Sequence, residues 1–351
     1  MTSLPIRECA RISKYVPGKS VEEVKRMYGL ERVVKLASNE NPYGASPKAI
    51  EAFKSYSDLH IYPDPEYRKL REKISEYTGW ELDRVVVAAG VDGVLETLFR
   101  LLIDEGDEVV IPIPTFPYYH NLTKMHCGRE VLVKRSSDGY SIDDSIFDAI
   151  SEKTKLVIIC SPNNPTGNVE SEKLVREIAE STKGVVFLDE AYIEFADKII
   201  DVDLDNIVIA RTFSKAFGLA NLRIGYALLP EWLVDPFKAA STPFPISTPA
   251  ERAAIAALED IKWMLDCVER IRAERERVYK EIRKFVEVNP SQANFLFFRS
   301  PINNLAEELL KRGIIVRDCS SFIGCDSHIR VSIGKPDEND MFLKALKEVL
   351  G

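Results

Sequence analysis

Residues 211–228 read RTFSKAFGLANLRIGYAL. One lysine, Lys215, stands between the hydroxyls of Thr212 and Ser214 and a run of small and apolar residues, with Arg223 further on. Lysine ordinarily sits on a wet surface, so the setting asks what the amine is for. The residues just before it, NIVIART (206–212), are near-continuously apolar and β-branched, as in a strand covered on both faces. The lysine therefore falls just past a strand's carboxyl end, where open α/β sheets gather ligand groups.

Four more segments repeat the pattern: VVVAAG (85–90), EVVIPIP (108–114), LVIICSP (156–162) and VVFLDEA (185–191). Helix-period stretches such as VLETLFRLLIDE (94–105) and SEKLVREIAES (171–181) lie between them. Strands alternating with helices predict an α/β fold, a three-layer sandwich around a mostly parallel central sheet. After STPFPISTP (241–249) the pattern changes to a charged helix over about 250–286, then ANFLFF, a helix around 305–311, GIIVRD, HIRVSIG and a last helix ending at Leu350. That is a second, smaller α+β domain. The expected division is an N-terminal arm over 1–45 packing with the small domain, a large domain over 46–248 and the small domain over 249–351.

The chain has 351 residues, 45% hydrophobic and 29% charged, which suits an ordinary globular protein of two lobes. Its net charge of −8 argues against nucleic acid or an anionic membrane as partner. There is no apolar run of membrane-spanning length and no apolar stretch of a secretory signal at the start, so a cytoplasmic protein is expected. Cys9, Cys127, Cys160, Cys267, Cys319 and Cys325 are scattered without a C-x-x-C pair. They read as buried small apolar residues, with neither a disulfide framework nor a metal site.

The residues following each predicted strand form a set. They are Gly90-Val91-Asp92 at a helix start, Thr115-Phe116, then Asn164 in SPNNPTG, Asp189 and Tyr192 in LDEAY, and Thr212, Ser214, Lys215 and Arg223. Backbone N–H groups at a glycine-led helix start suit a phosphate. Asp92 has the wrong sign for that place, and reads as the helix N-cap with its carboxylate turned away. Phe116 offers a ring to stack, Asp189 a carboxylate, Tyr192 a phenol and Lys215 an amine. A phosphorylated, planar, electron-poor aldehyde would use all of them, which describes pyridoxal phosphate. A nicotinamide or nucleotide site would need G-x-G-x-x-G or G-x-x-x-x-G-K-[ST], and neither occurs.

KLASNENPYG, SPNNPTG, LDEAY and SKAFGLANLRIG, in this order, resemble the fold-type I aminotransferases. With YVPGKSVEEV at the start, the chain is more narrowly similar to the histidinol-phosphate aminotransferases, from Tyr15 to the last strand. The resemblance implies pyridoxal 5'-phosphate as cofactor. It gives Lys215 as the amine that joins the cofactor aldehyde and later moves the substrate proton, and Asp189 as the partner of the pyridine nitrogen. Tyr192 and Asn164 would reach the phenolic oxygen, and Phe116 would stack on the ring. Gly90, Val91, Asp92, Thr212, Ser214 and Arg223 would hold the phosphate. Tyr62, in HIYPDP, would reach the phosphate of a neighbouring subunit's cofactor, implying a homodimer with shared sites.

On the substrate side the resemblance implies Arg330 for an anion common to the substrates and Arg317 for the phosphate of the phosphorylated amine, with Tyr15, Asn41 and Asn294 beside them. The activity implied is transfer of an amino group from L-histidinol phosphate to 2-oxoglutarate. The alternatives are aromatic amino acid transamination, since apolar walls discriminate weakly between flat rings, and the threonine-phosphate decarboxylation of a close relative in the same superfamily.

Overall fold

The computed structural model describes residues 7, 9, 12 and 19–351. Tyr15 lies outside the described residues. Among those described, the strands are β1 (Val34–Leu36), β2 (Val85–Ala88), β3 (Glu108–Ile113), β4 (Arg129–Lys134), β5 (Thr154–Cys160), β6 (Val185–Asp189), β7 (Ile207–Thr212), β8 (Gly225–Leu228), β9 (Val288–Asn289), β10 (Phe295–Arg299), β11 (Ile314–Asp318) and β12 (His328–Ser332).

Seven of them form one sheet in the order β2-β8-β7-β6-β5-β3-β4. Its β4, β3, β5, β6 and β7 run parallel, and β8 is antiparallel to both β7 and β2. Alternation along the strands explains the near-continuous apolar runs. Val109, Ile111, Leu156, Ile158, Phe187 and Val208 pack with Leu95, Leu98 and Phe99 of the helix Gly90–Leu102. Val110, Val157, Ile159, Val186, Leu188 and Ile209 pack with Val175 and Ile178 of the helix Glu172–Ser181 on the opposite face. Each such side chain contributes about 1.5–3 kcal/mol by leaving water. The result is the three-layer α/β sandwich expected, with the carboxyl ends of the parallel strands along one rim.

The second sheet has the order β1-β11-β12-β10-β9. Its first strand comes from near the chain start: Val34, Lys35 and Leu36 pair in parallel with Ile314, Ile315 and Val316. The segment that follows β1 thus leaves the small lobe directly toward the large one.

Two sequence expectations change. The charged helix expected over 250–286 is two helices, Thr248–Glu259 and Ile261–Ile282. Asp260 stands between them with φ −115° and ψ 38°, its N–H shared between the Ala256 and Ala257 carbonyls. Aspartate competes poorly for helix interiors, and one kinked residue leaves the charge periodicity on either side intact. Secondly, Cys9 and Cys127 are joined in a disulfide across 118 residues, with Cα atoms 5.2 Å apart. Spacing along the chain carries no record of that proximity. Cys160, Cys267, Cys319 and Cys325 are free and buried. Among the described residues no helix is long and apolar enough to cross a membrane.

Candidate active site

A cavity of about 390 Å³ lies between the rim of the large sheet and the small lobe. Its large-lobe wall is made by strand ends and the turns after them. β6 ends in Asp189 and β7 in Thr212, both facing the cavity, while their neighbours Glu190 and Arg211 point away and form a buried ion pair at 2.8 Å. The two-residue period of a strand thus separates the site's carboxylate from a structural one.

Lys215 is seated in the turn after β7, its Nζ 3.0 Å from the Ser38 carbonyl. Burial lowers its pKa to about 8, aided by the guanidinium of Arg330 and, more weakly, that of Arg223; Glu40 and Asp92 oppose the shift. The amine is therefore neutral for a useful fraction of the time near neutral pH. Burial raises Asp189 to about 6, against hydrogen bonds that favour its ionised form. Tyr119 donates to its Oδ2 at 2.6 Å and the Ala191 N–H to its Oδ1 at 3.0 Å.

An anion cradle lies beside the lysine. The helix Gly90–Leu102 begins at Ala89, which provides no side-chain cap, so the first N–H groups of the helix remain to be satisfied. Gly90 has φ +77°, and a Cβ there would lie 3.0 Å from Arg223 Nη2. Gly225 packs against the same turn, and its Cβ would fall 2.3 Å from the Gly90 carbonyl carbon. Asp92 is not the N-cap expected of it. It is the third residue of the helix, and its carboxylate accepts from Arg223 Nη2 at 3.1 Å. An acid at this place is tolerated because a guanidinium balances it. Arg223 Nη1 also reaches Ser214 Oγ at 3.4 Å, linking the two sides of the cradle.

The small-lobe wall carries two arginines. Arg317 on β11 and Arg330 on β12 are direct cross-strand partners and both line the cavity. Arg330 donates through Nη1 to Asn164 Oδ1 at 2.5 Å and through Nη2 to the Ala37 carbonyl at 2.7 Å. The Arg317 guanidinium lies 5.5 Å from the ring centre of Phe322, which also lines the cavity.

The cavity therefore brings together Val91, Asp92, Phe116, Asn164, Asp189, Tyr192, Thr212, Ser214, Lys215, Arg223, Arg317 and Arg330, with Gly90 immediately behind. Three residues singled out from sequence stand elsewhere. Asn41 is buried with its amide on the Ala216 carbonyl at 2.8 Å, behind the lysine turn. Asn294 is likewise behind the wall, donating to the Asn39 carbonyl at 2.9 Å. Tyr62 is 77% exposed, its ring stacked on Phe244 at 4.7 Å.

Tyr119, Asn39 and Phe322 line the cavity without having been singled out. Tyr119 had a signal, since it follows Phe116 by three residues in the same aromatic run, PTFPYY, just past a strand's carboxyl end. Asn39 had none, because nothing in N-E-N says which asparagine faces inward.

Fold and site together define an α/β enzyme built around a buried lysine and an anion cradle. The chain matches the family aminotransferase class I and II over residues 31–346 and belongs to it. It is 75% identical over 319 residues to histidinol-phosphate aminotransferase 1 of Archaeoglobus fulgidus, covering 91% of this chain and 100% of the relative. It is 44% identical over 353 residues to the histidinol-phosphate aminotransferase of Methanosarcina mazei, covering 97% and 95% of the two chains. Among solved structures, the histidinol-phosphate aminotransferase of Sinorhizobium meliloti in complex with pyridoxal-5'-phosphate superposes with a TM-score of 0.89 at 26% identity, covering 99% of this chain and 98% of that one.

Proposed function

We propose that this chain binds pyridoxal 5'-phosphate and transfers the amino group of L-histidinol phosphate to 2-oxoglutarate, giving imidazole acetol phosphate and L-glutamate in histidine biosynthesis. The observation that carries this reading is the placement of a lysine of lowered pKa in one cavity with Asp189, Tyr192 and the paired Arg317 and Arg330. The residues fit the cofactor: the uncapped helix start and the cradle that a Cβ at Gly90 would crowd suit its phosphate.

The N–H groups of Gly90, Val91 and Asp92, the hydroxyls of Thr212 and Ser214, and Arg223 hold the phosphate. Phe116 stacks on the ring. When bound, the cofactor supplies a conjugated ring that accepts the electron pair left as the substrate Cα loses its proton. With the cofactor bound, Lys215 Nζ would be the base that takes that proton and later returns it, for which it must be neutral at the outset. Asp189 keeps the pyridine nitrogen protonated. Arg330 engages Asn164 Oδ1, which leaves the Asn164 amide N–H groups to donate to the phenolic oxygen alongside Tyr192.

Two guanidiniums side by side suit a site that alternates between a phosphorylated amine and a dicarboxylate. Arg330 takes the anion common to both half-reactions and Arg317 the phosphate, with Tyr15 as a further donor. The enzyme works in the cytoplasm as a homodimer, in which Tyr62 of the partner subunit completes the phosphate site. The exposed side chains of Leu59, Ile61, Tyr62 and Phe244 suit burial against the second copy.

Single-turnover absorbance tests the reading. Cofactor-loaded protein should be yellow and should convert to the amine form of the cofactor much faster with L-histidinol phosphate than with L-phenylalanine or L-tyrosine. Faster conversion by an aromatic amino acid, or a colourless protein that fails to take up the cofactor, overturns it.

A further inference from the structure

Asn39 stands where the chain passes from the small sheet to the large lobe, 1% exposed, and all four of its polar groups are engaged. Its N–H donates to Ser332 Oγ at 2.8 Å, and its carbonyl accepts from Asn294 Nδ2 at 2.9 Å. Its side-chain Oδ1 accepts from Ser332 Oγ at 2.8 Å, and Nδ2 donates to the Tyr192 hydroxyl oxygen at 3.0 Å. The backbone is left-handed, with φ +55°, a conformation that asparagine tolerates better than most residues. The preceding residue, Ser38, gives its carbonyl to Lys215.

The directions of these bonds form one self-consistent set. A serine hydroxyl has one proton to give. Ser332 Oγ accepts from the Asn39 N–H and gives that proton to Asn39 Oδ1. That sets which end of the amide faces Ser332 and turns Nδ2 toward Tyr192. A phenol oxygen that already accepts an amide N–H still has its own proton to donate, and Tyr192 borders the cavity. Burial pushes the Tyr192 hydroxyl up to about 12, so the proton is retained.

We propose that Asn39 is a positioning residue for the reaction: the chain Ser332 to Asn39 to Tyr192 sets the polarity of the Tyr192 hydroxyl, so that it donates into the cavity to the cofactor's phenolic oxygen. The small lobe, through Ser332 and Asn294, thereby fixes a hydrogen bond made in the large lobe. The inference rests on the reading of Tyr192 given above.

The test is the pH midpoint of the visible absorbance of cofactor-loaded protein, which follows the proton at the Lys215 linkage, together with the cofactor dissociation constant. A donor to the phenolic oxygen favours the deprotonated linkage, so losing it raises the midpoint. Tyr192→Phe should raise the midpoint by about one pH unit or more. Asn39→Gly keeps the left-handed backbone accessible and should give a shift in the same direction, but no further shift when combined with Tyr192→Phe. Asn39→Asp keeps the size while replacing the donor by an acceptor, which draws the phenol proton away from the cavity. It should therefore raise the midpoint more than Asn39→Gly, and the part due to its charge is what persists in the Tyr192→Phe background. Should Asn39→Gly fail to fold, Ser332→Ala, which frees the amide to turn over, must show a smaller shift of the same sign.

A wild-type midpoint in Asn39→Gly, or in Ser332→Ala where the glycine variant does not fold, overturns the proposal. So does the same Asn39→Gly shift with and without Tyr192. If Tyr192→Phe itself leaves the midpoint unmoved, the assignment of Tyr192 fails and the relay fails with it; a shift with Tyr192→Phe alone sinks only the relay.

Discussion

The large-lobe wall of the cavity draws Asp189, Tyr192, Thr212, Ser214 and Lys215 from within a few residues of the carboxyl ends of two neighbouring parallel strands. The small-lobe wall takes Arg317 and Arg330 from paired antiparallel strands and Phe322 from the loop joining them. The first wall is positioned by a sheet buried on both faces, so its geometry follows from the core. The second is positioned by side-chain contacts: Arg330 is held by Asn164 and Ala37, and Arg317 lies over a phenylalanine ring. On the proposed reading, the proton transfer common to every substrate belongs to the wall set by the core, and discrimination of the phosphorylated amine to Arg317 on the wall set by side-chain contacts.

The comparison breaks first at Lys215. Lys215→Ala should abolish turnover of every amine alike, by about 10⁴-fold or more, with the fold intact by circular dichroism. Near wild-type turnover in that variant would remove the lysine from the chemistry. The same residue has a pH signature in wild type. With its pKa lowered to about 8, the rate of covalent attachment of cofactor to the empty protein should rise with pH up to about 8 and level off above it. For an ordinary lysine the rate would keep rising toward the usual pKa of 10.5.

Arg317→Ala should act selectively. Loss of a charge-assisted contact costs about 1.5–3 kcal/mol, or roughly 10- to 100-fold in kcat/KM, for histidinol phosphate, and much less for glutamate. Equal losses in both half-reactions would give Arg317 no selective role and blur the distinction between the walls.

How much of this was legible beforehand divides along the same line. The strands of the large sheet and the groups after them could be read, because an apolar run followed by polar residues at a strand's carboxyl end is a local pattern. Asp189, Tyr192, Lys215 and Asn164 all line the cavity as the sequence suggested. Cross-strand and lobe-to-lobe contacts were not legible. The sequence points to Asn41 rather than Asn39, gives no sign of Phe322 and suggests a cap at Asp92. The Cys9–Cys127 bond joins residues 118 apart for which no periodicity speaks. In each case the deciding neighbour is distant in sequence.

Tyr119→Phe sharpens the account of the rigid wall with a smaller effect. Its hydroxyl bond is the foremost of the contacts that offset the burial of Asp189. Removing it should carry the Asp189 pKa above about 6 and lower turnover of all amines by about tenfold. The sign in the cofactor-free protein follows from linkage. Asp189 holds its proton in the folded state up to about 6, against an ordinary value of 3.8, so its contribution to stability is present at acid pH and is lost as pH rises through that window. Tyr119→Phe should move the upper edge of the window to higher pH in urea titrations, and an unchanged profile would contradict the role.

The smallest expected effect belongs to Phe322 and bears on how the second wall holds its charge. Phe322 is 3% exposed and packs with Phe297, Cys319 and Cys325, so its ring is fixed from behind. A guanidinium over an aromatic face gains about 0.5–2 kcal/mol where water is limited. Replacing the ring by an aliphatic side chain of similar size forfeits that attraction without opening a large cavity. Phe322→Leu should therefore raise KM for histidinol phosphate by about 3- to 10-fold, leave kcat for glutamate near wild type, and add nothing in an Arg317→Ala background. Phe322→Tyr, which keeps the aromatic face, should restore most of the loss. A Phe322→Leu defect that persists without Arg317, or that appears equally with glutamate, would show that the ring supports the wall as a whole.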